Sequence, residues 1–251
     1  MNLFRISDLG FRILTIMLLA VVLQSSAYAL SLKDAQKDYL AGNYNEAIRK
    51  ARSVRETDES LYFLGLVHTK TGRYQRARNY LEKLIRTFPK SQFQELGLIK
   101  LADTYFLEGH YEKAATLYKR IEKDYFFSDF TPVVLLRLAQ ISSRQGKWRE
   151  KNEYLEMIRQ KYPGSSEMKF VKALEGYGDF FTIQVGAFGE KKNAFLLREE
   201  LRKDYKPYII EDKKGNYPVH KVRVGKFKKR YDAEKTADQL RNEGYPARIY
   251  P

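Results

Sequence analysis

A glycine followed two residues later by an aromatic recurs four times, at Gly42/Tyr44, Gly72/Tyr74, Gly109/Tyr111 and Gly146/Trp148, with offsets of 30, 37 and 37. A period of this length demands stacked supersecondary units, each too small to bury its own apolar face. The 37-residue offset also connects Phe88, Tyr125 and Tyr162, and Pro89 and Pro163 follow two of them. Those prolines predict helix stops, because the ring removes a donor and clashes with the preceding turn. Gly65, Ala102 and Ala139 stand seven positions before a turn glycine, and Ala77 and Ala114 five after one. Small residues at these points let paired helices approach closely. Leu61, Leu64, Gly65 and His68 fall on one face of a helix over 61–69, and the next helix is predicted over 74–87.

Leu64, Gly65, Gly72, Tyr74, Ala77, Leu81, Leu84 and Pro89 stand in the order and spacing of the tetratricopeptide repeat, which the segment 30–176 resembles. The expected fold there is an all-α helical repeat solenoid of about four units, the longer linkers resembling those of bacterial envelope members. Two units depart from the pattern: Lys151 replaces a small residue, and Asp34 and Ala35 stand where Leu-Gly is expected. Both are read as caps, since one side of a terminal unit faces water. The resemblance implies a concave groove for a protein segment that the sequence does not name. Tyr39, Tyr62, Tyr105 and Tyr118 are candidates to line it, with inter-helix core as the competing assignment.

Beyond Gly178 the hydrophobic period changes from 3.6 to 2, which marks a domain boundary near 176/177. Shifting the tail by 39 residues superposes Ile183 on Val222, Val185 on Val224, Gly186 on Gly225, Phe188 on Phe227, Ala194 on Ala233, Leu201 on Leu240, Pro207 on Pro246 and Ile210 on Ile249. Each half reads as strand, Gly-x-Phe turn, helix, strand. The expectation for 177–251 is therefore a small α+β ferredoxin-like domain of order βαββαβ, with two helices on one sheet face and the other face open. The first strand of each half becomes the central pair. Thr182, Gln184, Lys221 and Arg223 then decorate the open centre, because strand parity turns their apolar neighbours inward.

The paired segments Phe-Thr-Ile-Gln-Val-Gly-Ala-Phe and Val-Arg-Val-Gly-Lys-Phe resemble the SPOR domain, over 180–251. The resemblance implies binding of peptidoglycan glycan strands stripped of stem peptides, as accumulate at division septa. It carries that role to Gln184 and Arg223, with Tyr250 or Tyr245 as the aromatic near the last strand. The chemistry agrees: denuded strands present hydroxyls, acetamido groups and free lactyl carboxylates. Gln184 offers amide donors and a carbonyl acceptor, and Arg223 and Lys221 offer cations for the carboxylate. Tyr250, on the outward parity shared with Arg248, offers a ring for a pyranose face. A solvated sheet face is the competing assignment for Lys221 and Arg223. Lys226, Lys228, Lys229 and Arg230 read as a solvated turn, with steering toward an anionic wall as the alternative.

The first 29 residues read as an export signal: Arg5 and Arg12 precede the apolar run 13–23, which ends in Ser25, Ser26 and the Ala27-Tyr28-Ala29 cleavage pattern. Retention as a membrane anchor is the alternative; the run is short against the ~20 residues a span needs. The expected location is the periplasm or another extracytoplasmic part of the envelope. Lys and Arg number 46 against 31 acids, a formal charge of +15 that favours an anionic partner. The absence of cysteine excludes disulfides, thiolate catalysis and an N-terminal lipid-modified Cys. No catalytic motif, metal site or cofactor motif is seen; His68, His110 and His220 are dispersed.

A non-enzymatic scaffold, addressed by its tail and recruiting a protein through its repeats, is therefore expected, with no nucleic acid among its partners and no integral span after signal removal. An outer-membrane assembly scaffold acting mainly through the repeats is the alternative. An RNA-binding sheet is a further one, weakened because Gln184 and Arg223 stand where such sheets place stacking aromatics.

Overall fold

The computed structural model describes residues 31–126, 128–176, 178–214 and 217–251; the predicted export signal lies outside them. The chain divides by contacts into two compact units, one through His110 and one from Tyr111 onward.

The first unit holds α1 (Leu32–Leu40), α2 (Tyr44–Ser53), α3 (Asp58–Lys70), α4 (Tyr74–Thr87) and α5 (Gln94–Glu108). The turn glycines explain the repeat: Gly42, Gly72 and Gly109 have φ of +83°, +70° and +87°, a left-handed conformation that costs a side chain-bearing residue energy. At Gly65 of α3 a Cβ would stand 2.6 Å from Leu81 of α4, so the absent side chain sets the helix separation. α3 starts on a capping box in which the Ser60 N–H donates to Thr57 Oγ1 at 3.1 Å and the Thr57 N–H donates to Ser60 Oγ at 2.8 Å. α4 ends at Thr87, with Phe88 held out of helical geometry before Pro89. Asp34, one of the two departures from the repeat, caps α1 by accepting from the Ser31 N–H, while Ala35 is fully buried.

The second unit begins with α6 (Tyr111–Asp124), α7 (Thr131–Gln145), α8 (Trp148–Lys161) and α9 (Met168–Gly176), packed around Leu135, Leu136, Ala139, Leu155, Ile158 and Val171. It continues with β1 (Phe181–Phe188), α10 (Lys191–Leu201), β2 (Pro207–Lys214), β3 (Tyr217–Phe227), α11 (Arg230–Asn242) and β4 (Arg248–Tyr250). The strands form one antiparallel sheet of order β2-β3-β1-β4, so the first strand of each half is central as expected. α10 and α11 cover the face that presents Ile183, Val185, Val222 and Val224.

The Gly-x-Phe segments are not turns, contrary to the sequence expectation. Both lie inside strands, where the β1/β3 register shifts between Phe181 and Ile183 and again between Gln184 and Gly186. These shifts are β-bulges. A Cβ at Gly186 would lie 2.6 Å from the Phe188 ring, and one at Gly225, where φ is +67°, would enter the van der Waals envelope of Phe227. The glycine thus makes room for a ring two residues on.

The 39-residue correspondence also fails in the last strands. Ile209 and Ile249 both pack on the core, 40 residues apart, whereas Ile210 pairs with Lys221 on the opposite face. The core leucines at the helix ends, Leu201 and Leu240, keep the offset of 39, so the extra residue falls between Leu240 and Ile249.

Lys151, read as part of a cap, is instead 1% exposed and joined to the sheet domain. Its ammonium donates to Asp179 Oδ1 at 2.5 Å and the Gly178 carbonyl at 3.4 Å. Burial would lift the Asp179 carboxyl, but hydrogen bonds from Lys151 and Asn152 outweigh it and hold the group below the usual carboxylate range. Alongside, Trp148 packs on Phe181 with centroids 5.0 Å apart and donates its indole N–H to the Lys228 carbonyl at 3.2 Å. Lys228 in turn donates to the Asp179 carbonyl at 2.9 Å. The basic run after Phe227 is therefore partly a joint rather than a freely solvated turn.

Candidate functional site: the sheet face opposite the helices

Period-2 alternation on β1 and β3, with apolar residues drawn to the helices, sends the intervening residues to the other face. Antiparallel pairing then aligns them across strands: Tyr208 of β2 pairs with Arg223 of β3, Arg223 with Gln184 of β1, and Gln184 with Arg248 of β4. One row across all four strands thus reads aromatic, cation, amide, cation. Beside it Tyr250 pairs with Thr182. The guanidinium carbons of Arg223 and Arg248 each stand 5.3 Å from the Tyr250 ring centroid, within cation–π range, so one ring orders two cations.

The expected residues are brought together, but not with the expected exposure. Arg223 is 6% exposed and Thr182 only 1%, so neither decorates an open centre. The head of Arg223 lies against Tyr250. The Thr182 hydroxyl donates to the Val224 carbonyl at 3.3 Å and accepts from the Tyr208 hydroxyl at 2.8 Å. Gln184 is half-buried; its carbonyl oxygen is buried and accepts no hydrogen bond among the described residues. Arg248 is exposed. Lys221 lies two residues along β3 from Arg223, ion-paired to Asp212 of β2. Its charge is therefore already partly compensated.

Tyr245 faces the helices instead. It packs against the core and donates its hydroxyl to Glu200 at 2.6 Å, while Tyr205 donates to Glu243 at 2.7 Å in the matching place of the other half. Donation to Glu243 is the main reason the Tyr205 phenol is pushed up to about 12.

Sequence reading missed Tyr208 and Phe180, and put Lys226 in a solvated turn rather than on this face. The Lys226 ammonium stands 5.0 Å from the Phe180 centroid and 5.6 Å from that of Tyr208, extending the face past Thr182. The parity of β2 carried the signal for Tyr208, which the forced match of Ile210 with Ile249 concealed.

The predicted groove tyrosines divide. Tyr118 is fully buried and belongs to the core. Tyr39 packs on Tyr44 and Phe63 within the first core. Tyr62 stacks on Phe93 at 5.2 Å, and Arg78 lies 4.8 Å above Tyr105; both rings are half-buried. Among the described residues no cluster of three or more His, Cys, Asp or Glu is placed to hold a metal, and no helix is long and apolar enough to cross a membrane.

Residues 177–250 match the SPOR domain family, and residues 58–91, 97–125 and 133–165 match tetratricopeptide repeats. No curated protein matches the chain significantly. Among solved structures, PilW, described as a widely conserved type IV pilus biogenesis factor, aligns with TM-score 0.49 at 17% identity, over 59% of this chain and 70% of its own. PilF of Pseudomonas aeruginosa aligns with TM-score 0.45 at 18% identity, over 59% and 68%. A putative kinesin light chain of Podospora anserina with TPR-like repeats gives 0.46 at 17%, over 68% and 91%. SPOR is a peptidoglycan-binding family of the cell envelope and the tetratricopeptide repeat a protein-interaction module, so the matched segments are binding modules rather than catalytic ones. The chain is accordingly a tetratricopeptide-repeat protein with a C-terminal SPOR domain.

Proposed function

We propose that the protein is an exported, non-enzymatic scaffold of the periplasm, whose sheet domain holds glycan strands lacking stem peptides while its repeats recruit a protein. Enrichment of such strands at division sites would bring the chain to the septum. The observation that carries the reading is the cross-strand row in which Gln184 is paired with Arg223 on one side and Arg248 on the other, with Tyr250 against both guanidiniums.

Each component has a counterpart on the sugar polymer. The Gln184 carbonyl, buried and without an internal donor, accepts from an acetamido N–H or a hydroxyl. A guanidinium pairs a lactyl carboxylate bidentately, and Arg248 is the exposed one of the two. Arg223, stacked and largely buried, orients Tyr250 and supplies positive potential rather than a reaching side chain. Thr182 acts one step removed, by fixing the Tyr208 hydroxyl. Lys221 contributes least, since Asp212 already holds it. An exposed ion pair is worth roughly 0.2 to 1 kcal/mol, so retention depends on several contacts along one strand and on many molecules per strand.

The test is co-sedimentation of the full chain with cell-wall sacculi before and after amidase removal of stem peptides. Retention is expected to rise on amidase-treated wall and to fall several-fold for Gln184→Ala and Arg248→Ala. Equal retention of all three proteins on both preparations would contradict the site.

A further inference from the structure

A second cationic region lies in the first unit and is built differently. Between α2 and α4 runs a surface groove lined by Arg49, Arg52, Arg73 and Arg76, which continues through the shared Arg52 and Arg76 to Asn79 and Lys83. No acidic residue lines either stretch. Acids stand around it: Glu46 holds Arg49, Glu56 holds Lys83, and Glu108, held by Arg78, lies at the outer end beside Arg73 and Arg76.

The inner guanidiniums are oriented by neutral partners. Arg52 donates its Nε–H to the Tyr80 hydroxyl at 3.1 Å, and Arg73 donates to Asn45 Oδ1 at 2.9 Å. Each bond uses one of five N–H donors and leaves the charge uncompensated. The Arg76 guanidinium has no hydrogen bond or ion pair with any described residue. Beneath the groove His68 is fully buried and stacked on Tyr80 at 5.4 Å. Burial, reinforced by Arg52, Arg73 and Arg76, lowers its imidazole to about 4. The protein thus keeps an additional cation out from under this cluster.

We propose that the groove binds an acidic peptide segment. Arg49 and Arg52 are three residues apart on α2, a rise of roughly 4.5 Å, and Arg76 stands three residues past Arg73, the residue that caps α4. Carboxylates on alternate residues of an extended chain stand roughly 6.6 Å apart, and flexible arginine stems absorb the difference. The guanidinium fork matches a carboxylate bidentately, and the amide nitrogen of Asn79 stands beside it for a peptide carbonyl. Ile48 and Tyr80 supply an apolar floor for the stems of Asp and Glu side chains. Cations from two helices with an apolar strip between them suit a single chain laid along the groove. This inference rests on the reading of the repeats as a protein-recruiting module and narrows it to a chemistry.

The experiment uses the full chain and three fluorescein-labelled peptides of equal length, alternating Ser with Glu, Gln or Lys, read by anisotropy. The Glu peptide alone is expected to bind, and Arg52→Gln with Arg76→Gln to weaken it at least about tenfold. Lys191→Gln with Lys192→Gln, exposed on α10 and removing the same charge, should change it no more than about twofold. Retention on sacculi, measured in parallel, should be the same for both double variants and the wild type. Equal weakening by the two double variants would overturn the groove, as would phosphatidylglycerol vesicles binding through Arg52 and Arg76 where the Glu peptide does not. Equal binding of the Gln peptide would overturn the acidic specificity while leaving a peptide-binding module; binding of no peptide would remove both.

Discussion

The sheet face and the α2/α4 groove are both cationic, yet their charges are held in opposite ways. On the sheet, Arg223 is almost wholly buried and stacked on Tyr250, within a row whose partners are dictated by strand register. In the groove, Arg52, Arg73 and Arg76 project from helix surfaces and touch only neutral partners or none. A buried, stacked cation has little freedom left to lose and contributes geometry; an exposed one contributes field and reach, at the mercy of salt. The first construction suits a repeating polymer with fixed spacing. The second suits a chain that adapts to it.

The largest effect is expected where the backbone itself positions the sheet row. Gly225→Ala places a Cβ against Phe227 at a φ of +67°, and should cost about 2 to 4 kcal/mol in urea unfolding together with wall retention. No substitution in the groove should match it. Next, Arg223→Gln should lower stability by about 1 to 3 kcal/mol, whereas Arg76→Gln should stay within about 0.5 kcal/mol. Equal losses at the two sites would break the comparison.

Below the groove, His68 makes the first unit acid-sensitive. Its imidazole lies at about 4 when folded against an ordinary 6.5, so the unfolded chain takes up the proton first as pH falls. Stability should be full above pH 6.5 and decline toward pH 4, and His68→Phe, stacked on Tyr80 in its place, should flatten that decline in pH-dependent melts. The smallest effect is expected from salt. Raising sodium chloride from about 0.05 to 0.5 M should weaken acidic-peptide binding several-fold more than wall retention, if the sheet row relies on stacked and hydrogen-bonded contacts.

Legibility followed periodicity. The 37-residue repeat located α3 through α8 because a turn needing a left-handed glycine and a helix pair needing a small residue both leave marks at fixed spacing. The duplicated tail placed Gln184 and Arg223 on one face of the central strands, and the structure makes them direct partners, since the pairing of two antiparallel copies puts equivalent residues opposite each other near the pseudo-dyad. The same logic failed at Ile210, where one extra residue between Leu240 and Ile249 displaced the last strand, and with it the notice of Tyr208. Lys151 was visible only as a missing small residue; its partner Asp179 lies 28 positions away, beyond any local pattern.

By itself the sequence determined the kinds of element, their order, the central strand pair and the residues with outward parity, because these depend on local spacing and on the pairing rules of identical halves. Tertiary structure alone decided that Arg223 and Thr182 would be buried on that outward face, that Tyr250 would lie against two guanidiniums, and that four arginines from two repeats would share a groove. Those outcomes turn on bulges, side-chain reach and contacts between distant segments, and no local pattern records where a long side chain comes to rest.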